Sequence, residues 1–588
     1  MRATSSALVR RIGRLLSRRI VAVFLLVTTV FVLTTLLSAN NRLALKCHLR
    51  PSLCQKKGPA FSPNPKHAAQ AKIETAKLAQ IKSLTKSEDP DRLALGHNFY
   101  KKILKVVVNA RPKLSQPLDR YYLGKFSAMR FEYGKEDQSF AESDLQLFLQ
   151  VSDEEERELR LSHKYVVDNL PSTAPQGLYS GNGIVFVGGG RFNWLTLLSI
   201  KRLRSMGCTL PIEVLIPTFE DFELDVCTSV FPSLQATCIY MPLALFKDEV
   251  SRYGENSQLT FKGYQYKCLA VMLSRFENVL LLDSDNIVIN SPQNLFTSEP
   301  FKSKGLIVWP DFWRRSTCPK FYSIAGSKIS TTRLSDAYLE QVNGYLEQTG
   351  KVTPYDAVNK ISYHERLGTI PDPSSESGQM MISKKTHLKA LLLAFYYNTF
   401  GPDFYYPLFS QGATGEGDKE TFLAGAVILG DPFYQVGSFV QAIGEFIDGE
   451  FKGHGMGQAD PRQDYERSIE LKKLAKHYSD TELLAKMKEY PRPKLMFLHA
   501  NYPKLDPWDL SKGTTFDGIS RHRLYGSALM EETGRDIELE IWNNIEELVC
   551  GTSTLKLSTL NKVERPVLCQ EILMQKKYLI ATTDSLRR

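Results

Sequence analysis

Val279-Leu-Leu-Leu-Asp-Ser-Asp285 sets four apolar residues directly before two carboxylates that stand one residue apart. An apolar run of this length, bounded by polar residues, reads as a strand covered on both faces. The chain leaves it at once through Asp283 and Asp285. Burying two unpaired carboxylates is costly, and a hard divalent cation that bridges them to a diphosphate offsets that cost. Bound there, the ion would act as a Lewis acid on the phosphoryl oxygens of a leaving diphosphate.

Upstream of this stretch the pattern alternates. Ile184-Val-Phe-Val187 is a short apolar strand followed by the turn Gly188-Gly189-Gly190, and Trp194 to Met206 then has helical spacing closed by Gly207. Ile212 to Ile216 reads as a second strand ended by Pro217, Ala236 to Tyr240 as a third, and Tyr264 to Phe276 as a helix leading into Val279. Strands alternating with helices predict an α/β fold: a mainly parallel sheet with helices on both faces and ligand sites outside the carboxyl ends of its strands. The Asp pair occupies one such end.

Three later clusters carry polar chemistry. Glu376-Ser-Gly-Gln379 reads as a loop that enters the buried Met380-Met-Ile-Ser383, with His387 to Asn398 helical after it. Gly415-Glu-Gly-Asp-Lys-Glu-Thr421 puts Glu416, Asp418 and Glu420 behind flexible glycines. Leu495-Met-Phe-Leu498 reads as a strand with His499 at its carboxyl end, where an imidazole can complete a metal site begun by the Asp pair. A strand ending in Asp-x-Asp also serves haloacid-dehalogenase-like phosphotransferases, but their later Gly-Asp-Gly loop has no match here. The nearest approach, Gly415-Glu-Gly-Asp418, has Glu where Asp is required.

The chain has 588 residues and a formal charge of +10, so the location of that charge decides whether nucleic acid is a partner. Residues 1–19 carry six Arg and no acid, and residues 38–86 carry ten Lys or Arg against Glu74 alone. The rest is mildly acidic and offers no general basic surface to a phosphate backbone, which argues against nucleic acid. Between the basic stretches, Ile20 to Leu37 is free of charge, and a helix of that length reaches about 27 Å at about 1.5 Å per residue. The excess of Arg before the span keeps the short tail cytosolic and the bulk of the chain lumenal. The expected organisation is a cytosolic tail over 1–19, a transmembrane signal anchor over 20–37, a stem and helical lead-in over 38–165, and a catalytic domain over 166–588. The prolines Pro51, Pro59, Pro63 and Pro65 make the first part of the stem extended. Asp153 to Tyr165 is a charged helix read as a solvated face. Nine Cys suit an oxidising lumen, and their odd number leaves at least one thiol outside any internal pairing.

Gly183 to Gly190, Leu281-Leu-Asp-Ser-Asp-Asn286, Glu376 to Gln379, Gly415 to Phe422 and Phe497-Leu-His-Ala-Asn-Tyr-Pro-Lys504 together resemble the fungal Golgi mannosyltransferases that build the outer chains of N-glycans. The resemblance runs in order over about residues 180 to 510. It implies a type II protein of the Golgi membrane, a GT-A-like nucleotide-diphospho-sugar transferase fold, GDP-mannose as donor, a mannose-rich glycan as acceptor, and Mn2+ held by Asp283, Asp285 and His499. The family contains α-1,2 and α-1,3 enzymes and works alongside complex partners. Tyr405 to Ser410 looks more like the α-1,2 group, while an α-1,3 enzyme and a non-catalytic glycan-binding subunit are the alternatives. On this reading Asp418 and then Glu416 are the catalytic carboxylates. Gly188, Gly189, Gly190, Lys267 and Ser284 are expected at the donor, and Glu376, Gln379 and Asn501 at the sugar and acceptor.

Overall fold

The strands form where the apolar runs predict them, because every one of these runs is covered on both sides. In the computed structural model, β1 (Asn182–Val187), β2 (Ile212–Ile216), β3 (Ala236–Tyr240) and β4 (Asn278–Leu282) pair in the order β3-β2-β1-β4, all parallel. Successive side chains go to opposite faces, so Val185, Leu215, Val279 and Leu281 enter one apolar cluster while Ile184, Phe186, Val214, Leu280 and Leu282 enter the other. The structure describes residues 74–83, 89–127, 140–246, 259–330, 362–475, 489–511, 521–551, 555–560 and 564–587, with a few isolated positions besides. The membrane span expected over 20–37 and most of the stem lie outside these residues. Among the described residues no helix is long and apolar enough to cross a membrane.

Residues Lys77–Arg588 make one compact unit. Its first long helices are α1 (Pro90–Asn109) and α2 (Asp153–Asn169). Ser152 caps α2 through the Glu155 amide, and four acids in its first turn favour the positive end of the helix dipole. One side of α2 is solvated, while Leu159, His163 and Val166 are buried. Helix α3 (Phe192–Ser205) joins β1 to β2, and α4 (Gln265–Leu273) precedes β4. α4 and α5 (Leu388–Thr399) cover the first face of the sheet. α3, α6 (Ile537–Val549) and α7 (Arg565–Thr582) cover the second.

The sheet is mainly parallel, as expected, and becomes mixed beyond β4. The strand β7 (Ser375–Ser383) inserts antiparallel between β4 and β6 (Leu306–Pro310), and β8 (Tyr434–Gln435) closes the edge. Glu376 to Gln379, expected in a loop, therefore lies within a strand, with Gln379 opposite Leu282. A second sheet was not foreseen. β5 (Asn286–Val288), β11 (Leu495–His499), β10 (Glu450–Ala459) and β9 (Gln441–Ile447) pair antiparallel in that order. The chain leaves the large sheet at Leu282 and enters the small one at Asn286, so Asp283-Ser-Asp285 is the seam between them. Among the described residues two disulfides form, Cys227–Cys238 and Cys550–Cys569, and Cys208, Cys268 and Cys318 are buried thiols.

Candidate functional site

Strand register brings the separated polar clusters together. His499 pairs with Asn286 across β11 and β5, one residue past Asp285, and the Ala500 amide donates to the Asp285 carbonyl at 3.0 Å. The His499 Nε2 lies 3.3 Å from an Asp285 oxygen and 4.0 Å from Asp283 Oδ2. One ligand atom from each of these three residues falls within 4.8 Å of the others. The other ring nitrogen, Nδ1, is 3.1 Å from Glu376 Oε1, the carboxylate support that metal-binding imidazoles commonly have.

Lysines balance the acids. Lys267, at the start of α4, donates to Asp283 Oδ2 at 2.8 Å and to the Ser377 carbonyl at 3.1 Å, and lies 3.9 Å from Asp418. Lys504 pairs with Asp285. Burial pushes the Asp285 carboxyl up, but His499 and Lys504 outweigh it and hold it well below the usual carboxylate range. Burial works against the charge on His499, yet Glu376 and Asp285 overcome it and hold the imidazole well above its ordinary value. Two ammonium groups and the His499 ring thus face four carboxyl groups, Asp283, Asp285, Glu376 and Asp418. The donor set, two carboxylates and an imidazole from converging strands, fits a divalent cation that keeps some oxygen ligands from its substrate.

Asp418 enters from the glycine loop. Gly415 has φ +79°, a conformation glycine adopts without penalty, and the following turn buries the Asp418 carboxyl beside Ser377, whose hydroxyl donates to Oδ1 at 3.3 Å. Its Oδ2 is buried with no hydrogen-bond partner. Burial is the main cause that pushes this carboxyl up to about 6, with Lys267 pulling it down and Asp283 pushing it further up. The other two acids of the loop do different work. Glu420 pairs with the fully buried Arg315 and anchors the turn, and the exposed Glu416 accepts from the Ser410 hydroxyl instead of reaching the cluster.

A family profile described as "Mannosyltransferase putative" matches residues 181–460. The chain is 46% identical to the alpha-1,2-mannosyltransferase MNN21 of Candida albicans over 84% of its length and 76% of that protein. It is 37% identical to MNN2 of Saccharomyces cerevisiae over 72% of this chain and 73% of that one, and 32% identical to MNN5 of the same species over 84% and 90%. The chain belongs to the fungal α-1,2-mannosyltransferase family. It is a glycosyltransferase. Among solved structures, the galactosyltransferase LgtC with donor and acceptor analogues is matched at 12% identity and a TM-score of 0.22, over 43% of this chain and 73% of that one, a likeness too slight to argue from.

In this mannosyltransferase the residues expected from sequence separate into two groups. Asp283, Asp285, His499, Lys267 and Asp418 converge. Gly188, Gly189 and Gly190 form the turn at the carboxyl end of β1, beside β4, but the Gly189 amide donates to Asn193 Oδ1 at 2.8 Å and the Gly190 amide to the Asp221 carbonyl at 3.1 Å. The turn offers shape at this edge, with these two amides already used. Ser284 is buried, its carbonyl accepting from Ser199 at 2.8 Å. Gln379, expected at a sugar hydroxyl, is fully buried and bonded to Asn286 and Glu376. Glu376 is the partner of His499 and is itself buried, and Asn501 is exposed just beyond the imidazole. Sequence reasoning gave no role to Lys504, Ser377 or Asn286, and Asp311, which pairs with Lys419 at 2.8 Å beside the loop, also escaped it. Lys504 closes the motif that begins at Phe497, and its place in that motif, shortly after His499, was the available signal.

Proposed function

We propose that this chain is a Golgi α-1,2-mannosyltransferase of the GT-A kind that moves mannose from GDP-mannose to a mannose-rich glycan, with Mn2+ held by Asp283, Asp285 and His499. The observation that carries the reading is the convergence of two carboxylates and an imidazole at the seam of the two sheets. The names of the relatives supply the linkage. When bound, the ion supplies Lewis-acid stabilisation of the departing diphosphate. Lys504 helps hold Asp285 ionised, Lys267 offsets part of the burial that pushes the Asp283 carboxyl up, and both add positive charge toward the same phosphates. Glu376 fixes the ring of His499.

The donor is α-linked, so an α-mannoside product means retention, and positive charge builds on the sugar ring as the bond to phosphate lengthens. Asp418 presents an unpartnered carboxylate oxygen beside this centre, and such a group stabilises the ring only as charge develops. For location, the charge-free span and the six Arg before it support a type II protein with the catalytic unit in the lumen.

The test is transfer by the purified chain with GDP-mannose, Mn2+ and an α-1,6-mannan acceptor, followed by linkage analysis. An α-1,2-linked product whose formation stops with chelator is expected. Absence of mannose transfer, or an α-1,3 product, overturns the reading. Protease added to sealed microsomes is expected to remove a tag before Arg10 and spare one after Arg588.

A further inference from the structure

The β9–β10 hairpin ends in a pair of phenylalanines that the fold leaves in solvent. Phe446 is 74% exposed and Phe451 44%, and their rings meet edge to face with centroids 5.4 Å apart. Isolated apolar residues on a surface are ordinary, but a cross-strand aromatic pair at the tip of a hairpin is a paid-for exposure that asks for an occupant.

Register decides which way this pair faces. Phe451 stands opposite Phe446, Gly453 opposite Gly444 and Met456 opposite Ala442, while Met456 is also opposite His499 on β11. Directly paired residues share a face, and so do alternate residues along β9, so Phe446, Phe451, Gly453, Met456 and His499 belong to one face of the small sheet. Between the aromatic pair and the imidazole this face carries Gly444, Gly453 and Met456: Gly453 is exposed, and a Cβ there would meet only the Phe451 ring, at 3.6 Å, whereas Gly444 and Met456 are buried. The other face is covered, with Ile443 buried and Glu445 reaching His522 at 3.7 Å. The open strip is therefore the hairpin end, Phe446, Phe451 and Gly453.

The strip is joined to the metal-site segment. The Tyr502 amide donates to the His454 carbonyl at 3.4 Å, the His454 Nδ1 lies 3.3 Å from the Tyr502 carbonyl, and the Tyr502 ring, three residues past His499, is 75% exposed. At the hairpin tip, Lys452 and Glu450 neutralise each other at 2.9 Å, and the exposed Asp448 in the turn leaves one net negative charge. Exposed rings beside an exposed glycine suit a neutral polysaccharide, whose pyranose rings stack their C–H faces on aromatics. They do not suit an anionic ligand.

We propose that the open face of the β9–β10 hairpin, led by Phe446 and Phe451, binds the uncharged polymannose chain of the acceptor several sugars away from the residue being modified. This rests on the mannosyl-transfer reading given above, which names the acceptor. The strip sets preference for long acceptors over short ones.

The test compares wild type with Phe446→Ala/Phe451→Ala and with Phe446→Tyr/Phe451→Tyr. Binding is read by affinity electrophoresis in gels containing α-1,6-mannan, which needs no donor and no turnover. Kinetics are read as the ratio of kcat/KM for long mannan to that for mannobiose. The double Ala variant is expected to lose mannan retardation and to lower the ratio about tenfold through KM for the long acceptor, while the double Tyr variant retains both. Unchanged retardation by the Ala variant overturns the proposal, as does an equal loss with long and short acceptors. Binding of wild type to neutral phosphatidylcholine vesicles that the Ala variant loses, with mannan retardation intact, assigns the pair to a membrane surface and also overturns it. A wild type that binds mannan but transfers no mannose sinks the transfer reading and leaves the binding surface standing.

Discussion

Replacing Asp418 with Asn removes one negative charge from the centre and little else. Its Oδ1 keeps the Ser377 hydroxyl as donor, and its Oδ2 has no hydrogen bond to lose. Lys267 stays paired with Asp283 at 2.8 Å. What disappears is the attraction between the carboxylate and positive charge growing on the donor ring. Two unit charges about 4 Å apart at an effective dielectric of about 20 attract by about 4 kcal/mol, and a partial charge on the ring brings this to about 3 kcal/mol. That is about a 10²-fold loss of kcat. Initial rates at saturating GDP-mannose and Mn2+ measure it, with GDP affinity followed by calorimetry and the fold by thermal melting. GDP binding is expected to change little, and the melting temperature to hold or rise, because a buried carboxyl pushed up to about 6 is a charge the fold hosts at some cost. If Asp418→Asn and Glu416→Gln each keep at least about a tenth of wild-type kcat, a loss under about 1.4 kcal/mol, the loop is not catalytic.

Asp285→Asn is expected to abolish transfer with the melting temperature preserved, and activity of that variant in the presence of chelator would contradict a metal site. His499→Ala should raise the Mn2+ concentration needed for half activity; an unshifted titration curve would leave the imidazole a structural role. Glu376→Gln, which weakens the support of His499, should lower metal affinity about 10-fold to 100-fold, read as Mn2+ binding by calorimetry without donor. The last prediction concerns stability. Burial pushes the Glu538 carboxyl up to about 7 even though the Leu524 and Tyr525 amides donate to it. The folded state therefore binds this proton more tightly than the unfolded chain does, and the stability it contributes is full below about pH 4.5 and is lost as pH rises through about 7. The loss is on the order of 3 kcal/mol, and Glu538→Gln should flatten the melting temperature between pH 5 and 8; an unchanged slope would show that another group carries it.

The parallel half of the large sheet was legible because each strand is a continuous apolar run with its own turn signal, as at Val187-Gly188 and Ile216-Pro217. Strand direction is not written in such runs, so the reversal of β7 was not. Glu376-Ser-Gly-Gln379 has the composition of a turn, and only the pairing of Gln379 with Leu282 and of Glu376 with Trp309 makes it a strand. The small sheet was missed because Gly453, Gly455 and Gly457 in β10 leave no alternation to detect. Asp283 and Asp285 announce themselves as charges after an apolar run. Lys504 and Glu376 do not, since their roles depend on long-range contacts, 219 and 123 residues from their partners. The acidic loop showed three carboxylates without saying which faces inward; burial of Asp418 and the Arg315 anchor on Glu420 decide that.

Because β11 alternates its side chains, with Leu498 fully buried in the core and His499 on the opposite face, the imidazole owes its position to a count of residues rather than to its own contacts. A single residue inserted or lost between Leu495 and His499 would exchange the two, sinking the ring into hydrocarbon and presenting an isobutyl group to the carboxylates. Loops around this centre can lengthen without such a consequence. The small sheet thus acts as a ruler, and length variants within it should read out as failures of ion capture in protein that still folds.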